Sequence, residues 1–159
     1  MGVQMDDSQR SRIPDRRGEL NRAPRRNRSL CVLLAENDEA MRQLVTTSLT
    51  RKGFDVVACS NGKELAAVIE EQIEGKPHPP IDVIVSDVQM PGRTGLECLR
   101  SVRQVNQKVP FIIITAFGDK TTYEDAFRSG ATAVFDKPFD LEELVCAIHQ
   151  AVSSKRQAR

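Results

Sequence analysis

Six polar residues stand where short apolar runs end. Glu36, Asn37 and Asp38 follow CVLLA, Asp87 follows IDVIVS, Thr115 closes FIIIT, and Lys137 follows AVFD. If the fold gathers those ends, two or more carboxyl groups, an amide, a hydroxyl and an ammonium share one site. Carboxylates alone would repel one another, so their convergence makes sense around a divalent cation, and all-oxygen ligands with water suit Mg²⁺. A cation between acids, with Lys and Thr opposite, is also a phosphoryl site. The metal and ammonium neutralise the transferring charge while the hydroxyl donates a hydrogen bond. Asp87 is then the candidate nucleophile.

The elements that must position these residues follow from periodicity. Apolar runs at 31–35, 54–58, 81–86, 111–115 and 133–136 alternate with helical patterns, the signature of successive βαβ units. Helical spacing appears at Met41, Leu44, Val45, Ser48 and Leu49, then at Leu65, Val68 and Ile69, then at Leu96, Leu99 and Val102. The last helix reads Leu141, Leu144, Val145, Ile148 and Val152, with Asp140 placed to cap it and Glu143 three residues on. Thr94 with Glu97 and Thr121 with Glu124 predict capping boxes for the third and fourth helices, and Tyr123, Ala126 and Phe127 form the fourth helix's inward face. Five strands, each followed by a helix, predict an α/β fold: a doubly wound parallel sheet covered on both faces. Ligand sites in such sheets lie beyond the carboxyl ends of the strands, where the six polar residues fall.

A chain of 159 residues suits one globular domain and leaves little room for a second. Its net charge of +1 hides an asymmetry: residues 1–30 hold eight Arg against Asp6, Asp7, Asp15 and Glu19, and residues 151–159 add Lys155, Arg156 and Arg159, which leaves the body at −6. The arm, 1–29, has few apolar residues and no period, so it is expected to be disordered. No aromatic residue interleaves with its Arg residues, which disfavours nucleic acid as a partner. No apolar run approaches a membrane span and the first residues lack a secretory core, so a cytoplasmic protein is expected. Cys31, Cys59, Cys98 and Cys146 are widely spaced with no CxxC pair, which reads as free, mostly buried thiols. Met90 reads as packing; His78 lies in a loop and His149 on an exposed helix face, so neither reads as catalytic.

Residues 30–150 resemble the receiver domain of bacterial two-component response regulators. The segments that carry the resemblance are VLLAENDEAMR, SDVQMPGRTGLECL, IIITAFGD and GATAVFDKPFDLEEL, in that order. The resemblance implies a flavodoxin-like (βα)5 fold of strand order 2-1-3-4-5, and a domain that is not an enzyme but assists its own phosphoryl transfer and hydrolysis. It implies that Asp87 is the phosphoacceptor, served by a histidine kinase or histidine phosphotransfer protein. Glu36 and Asn37 occupy the positions of the acidic pair that holds Mg²⁺, joined by Asp87 and the main-chain carbonyl of Gln89. Thr115 would hydrogen-bond a phosphoryl oxygen and Lys137 would ion-pair with another. The Lys137–Pro138 peptide is expected to be cis. Pro91 and Gly92 would supply the turn after the acceptor, and Gly95 would let the third helix start close to the sheet. A downstream protein would read the face of helix four, strand five and helix five. Residues 151–159 are expected to form a basic tail, with no output domain after residue 150.

Two positions depart from the family. Asn37 stands where an Asp normally ligates the metal, keeping a carbonyl oxygen but losing a charge, so weaker Mg²⁺ binding is expected. Asp38 could substitute, although it is better placed to cap the first helix. Val134 stands where an aromatic residue normally reports phosphorylation, and Phe135 points to the opposite face. These departures leave a second reading open, a pseudo-receiver that binds protein without being phosphorylated. A phosphatase of the haloacid dehalogenase type would need an acid at Gln89, and a flavin phosphate would need donors where ENDEAM offers carboxylates.

Overall fold

A computed structural model describes residues 28–158 with the exception of Gln107. Strands β1 (Cys31–Ala35), β2 (Asp55–Cys59), β3 (Val83–Asp87), β4 (Phe111–Thr115) and β5 (Ala133–Asp136) alternate with helices α1 (Glu39–Arg51), α2 (Gly62–Ile73), α3 (Gly95–Val105), α4 (Lys120–Arg128) and α5 (Leu141–Gln157). All strand pairings are parallel and the order is β2-β1-β3-β4-β5, the flavodoxin-like arrangement.

β1, β3 and β4 are buried along their whole length because helices cover both faces. On one face Leu33, Ile84 and Ile113 pack with Leu65 of α2, Cys98, Leu99 and Val102 of α3, Ala126 of α4 and Met90. On the other, Val32, Leu34, Val85 and Ile112 pack with Val45 and Leu49 of α1 and Leu144, Ile148 and Val152 of α5. Each buried Val, Leu, Ile or Met side chain contributes about 1.5–3 kcal/mol, and a one-residue slip would exchange the faces, so register and strand ends are fixed together.

Local chemistry sets where the helices begin. Thr94 and Glu97 form the capping box of α3. The box expected at Thr121 does not form: α4 starts earlier, capped by Asp119, whose carboxylate accepts from the Thr122 N–H at 2.7 Å and is a stronger acceptor than a hydroxyl. Asp140 caps α5 through the N–H of Glu142 at 2.7 Å. Two expected inward residues face solvent: Leu44 is 55% exposed and Phe127 53%, leaving small Ala126 as the fully buried residue of α4. Residues 151–157 are the last turns of α5 rather than a separate tail, with Ala151 and Val152 buried. Most of the basic arm, residues 1–27, lies outside the described residues. At its end the Arg28 guanidinium grips both oxygens of Asp82 at 2.8 Å.

Cys31, Cys59 and Cys98 are buried and Cys146 is exposed; all four are free. Burial first, and nearby acids second, push the Cys31 and Cys59 thiols up to about 11 from 9.0. Because the folded value is raised, their contribution to stability is present below 9.0 and is lost as pH rises through about 11. In a titration with an aromatic disulfide at about pH 8, near the pKa of a free thiol, Cys146 alone should react; all four thiols should react after unfolding.

Candidate functional site

β3 ends on Asp87, which is 5% exposed. The neighbouring strands bring Glu36, 3% exposed, one residue past β1, and Thr115, 1% exposed, at the end of β4. Gly95 permits α3 to start directly against Asp87: a Cβ there would lie 2.1 Å from the Asp87 carbonyl oxygen. The turn between them contains Gly92, whose φ of +80° is a conformation L side chains rarely adopt. Ser86, fully buried, donates from its hydroxyl to the same Asp87 carbonyl at 3.0 Å.

Lys137 joins the acids. Its ammonium lies 2.7 Å from Glu36 Oε2 and 2.9 Å from Asp87 Oδ2. The remaining oxygens accept from the main chain, Glu36 Oε1 from the Asp38 N–H at 3.0 Å and Asp87 Oδ1 from the Gln89 N–H at 3.2 Å. Burial pulls the Lys137 pKa down, but hydrogen bonds and charge from Glu36 and Asp87 outweigh it and hold the group above the usual lysine value. The Lys137 N–H donates to the Thr115 carbonyl at 2.8 Å, and the Lys137–Pro138 peptide is cis. Thr115 Oγ1 accepts from the Phe117 N–H at 3.1 Å, which leaves its own proton to donate.

Asn37 occupies the rim. Gln89 O and Glu36 Oε1 both face its carboxamide, and two acceptors require Nδ2 turned toward them; it donates over 3.0 and 3.3 Å. Asp38 does not substitute as an acid, since its carboxylate caps α1 by accepting from the Met41 N–H at 2.7 Å. His78 pairs with Glu71 and His149 stacks beside Phe54, in neither case among the site residues.

The oxygens that could hold a cation are thus two carboxylates, the Gln89 carbonyl and, with its amide turned, Asn37 Oδ1. In kind they fit a hard dication such as Mg²⁺. Among the described residues no three His, Cys, Asp or Glu side chains gather as metal ligands; at this site Asn37 contributes an amide beside the two acids Glu36 and Asp87.

Two features are invisible to spacing rules. Arg42 reaches back from α1 to donate to the Glu36 carbonyl at 2.9 Å. The Tyr123 hydroxyl donates to Asp136 Oδ2 at 2.5 Å, tying α4 to the end of β5 next to Lys137. A Cβ at Gly118 would strike both Asp136 and Tyr123, so the β4–α4 loop is fitted beneath that contact. Val134 packs with the core on the face of α4, and Phe135 on the opposite face against Phe139.

Residues 32–149 match the response regulator receiver domain, and the chain belongs to that family. It is 30% identical over 122 residues to the DNA-binding transcriptional regulator NtrC of Salmonella typhimurium, covering 77% of this chain and 24% of that protein. It is 31% identical over 125 residues to the C4-dicarboxylate transport transcriptional regulatory protein DctD of Pseudomonas aeruginosa, covering 79% and 26%. The chain therefore spans about a quarter of these curated relatives. Among solved structures, a response regulator receiver domain protein from Clostridium thermocellum superposes with a TM-score of 0.74 at 25% identity, covering 82% of this chain and 99% of the other. The chemotaxis response regulator CheY4 of Vibrio cholerae superposes with a TM-score of 0.67 at 27% identity, covering 77% and 98%. No helix among the described residues is long and apolar enough to cross a membrane.

Proposed function

We propose that Asp87 accepts a phosphoryl group from the phosphohistidine of a histidine kinase or histidine phosphotransfer protein, and that a partner protein reads the result on the surface of α4, β5 and α5. The observation that carries this reading is a buried acceptor carboxylate held 2.9 Å from a lysine ammonium at the carboxyl end of a parallel sheet. Glu36, Asp87, the Gln89 carbonyl and Asn37 are the groups that would hold Mg²⁺, which when bound supplies positive charge against the phosphoryl oxygens. An Asp87 oxygen forms the new bond to phosphorus as the bond to the donor imidazole nitrogen breaks and its electron pair returns to the ring. Lys137 neutralises charge on one phosphoryl oxygen, and the Thr115 hydroxyl donates to another.

The route outward replaces the missing aromatic of β5. Tyr123 and Asp136 connect α4 to the residue preceding Lys137, so a shift of Lys137 or of the loop at 116–118 is felt by α4 directly. A second reading, a phosphorylation-independent binding module, is favoured by one observation: Lys137, Asn37 and the Asp38 and Gln89 N–H groups together satisfy all four acidic oxygens without an added cation.

Acetyl phosphate with Mg²⁺, read by intact mass in acid, separates the two. A gain of one base-labile phosphoryl group is expected, together with a change in the emission of Tyr123, the only tyrosine in a chain without tryptophan. No adduct, even at high Mg²⁺, would overturn the phosphoacceptor reading in favour of the second.

A further inference from the structure

We infer that Asn37 is a built-in stand-in for the metal, an amide latch that keeps the acidic site assembled without Mg²⁺ and must turn over before Mg²⁺ can bind. The inference rests on the metal-ligand roles proposed above for Glu36, Asn37 and Gln89.

Nδ2 of Asn37 bridges Gln89 O and Glu36 Oε1, two of the oxygens a cation would draw together. An aspartate at this position has no proton to offer either one. It would leave its own oxygens facing a carbonyl and a carboxylate with only repulsion between them. The charges agree with this division of labour. Glu36 and Asp87 against Lys137 leave one net negative charge, which needs little further compensation. With aspartate at 37 the site would carry two, the charge a divalent cation neutralises.

The latch can open. Asn37 is exposed, so water competes for both hydrogen bonds, and the longer, to Glu36, is 3.3 Å. A half-turn of the carboxamide presents Oδ1 to the same space at the expense of both bonds. Asn37 is thus a positioning residue: it holds Glu36 and the Gln89 carbonyl in place and sets the Mg²⁺ concentration at which the site fills.

The test compares the parent chain with Asn37→Asp and Asn37→Ala by thermal unfolding and calorimetric Mg²⁺ titration, with no phosphodonor present. In chelator the parent should melt highest, with Asn37→Asp lower by about 3 °C, the shift expected in a domain of this size for the loss of about one hydrogen bond. In millimolar Mg²⁺ the order should cross: Asn37→Asp rises above the parent and binds the ion about tenfold more tightly, the order of gain expected from one added charge at contact distance near a protein surface. Asn37→Ala, which loses the latch without gaining a charge, should melt below the parent in chelator and show no such rescue. Equal melting of parent and Asn37→Asp in chelator, or equal Mg²⁺ affinity, would overturn the latch. Phosphorylation is scored separately. A crossover in a chain that never takes a phosphoryl group would keep the latch and refute the proposed function; phosphorylation without a crossover would do the reverse.

Discussion

Asp87→Asn should reduce phosphoryl incorporation from acetyl phosphate to background while leaving the fold intact. A carboxamide oxygen is a poor nucleophile, and no other acid has the same surroundings: Glu36 shares the ammonium but follows β1 rather than ending β3, and Asp38 is committed to the cap of α1. Stability should change little. Asp87 faces two donors, Lys137 Nζ and the Gln89 N–H, so an asparagine keeps an oxygen on one and sets its NH2 against the other. The loss is about one hydrogen bond, about 1 kcal/mol, and Lys137 retains Glu36. Intact mass and thermal melting check both halves. Incorporation at the parent level in Asp87→Asn would place the acceptor elsewhere.

Lys137→Met should destabilise the domain by about 3 kcal/mol near neutral pH, because it strands two buried carboxylates without their shared counter-charge. The Glu36 and Asp87 side chains are 4% and 7% exposed, so water cannot take over, whereas the lysine itself is 18% exposed, which argues for the lower end of such losses. The sign with pH follows from the raised Lys137 pKa. Its contribution is present below the ordinary lysine value of 10.5 and disappears as pH rises through the folded value above that. Parent and variant should therefore converge in alkaline solution. Chemical denaturation across pH measures the gap, and a gap that persists undiminished well above 10.5 would show that methionine acts through packing alone. Adding Glu36→Gln removes one stranded charge and should restore part of the loss, which a double-mutant cycle reads as coupling.

Sequence periodicity was enough to find the strand ends near Asp87, Thr115 and Lys137, because central strands buried on both faces read as continuous apolar runs; on the half-buried edge strand β5 the run is shorter, and Lys137 lies one residue past its end. Departures arose where a side chain had more than one local choice. Asp119 outcompeted Thr121 for the cap of α4, a contest between neighbouring acceptors that spacing cannot decide. Phe127 sits at a position a helical stripe assigns to the core, yet the nine-residue α4 buries only Ala126 fully.

The sequence by itself determined the alternation of strands and helices and which residues stand at the strand ends, because those properties depend on patterns running along the chain; the strand order is expected only from the resemblance to the receiver family. Tertiary structure alone decided how the site's charges are satisfied. Lys137 reaches Glu36 across 101 residues, Asn37 turns its amide toward a carbonyl delivered by another loop, and Tyr123 finds Asp136 from a helix against a strand. Each contact depends on where separate elements meet and on which donors each acceptor finds there. Position 37 shows the difference most plainly: as a letter it is a lost acid, and in the fold it becomes a donor.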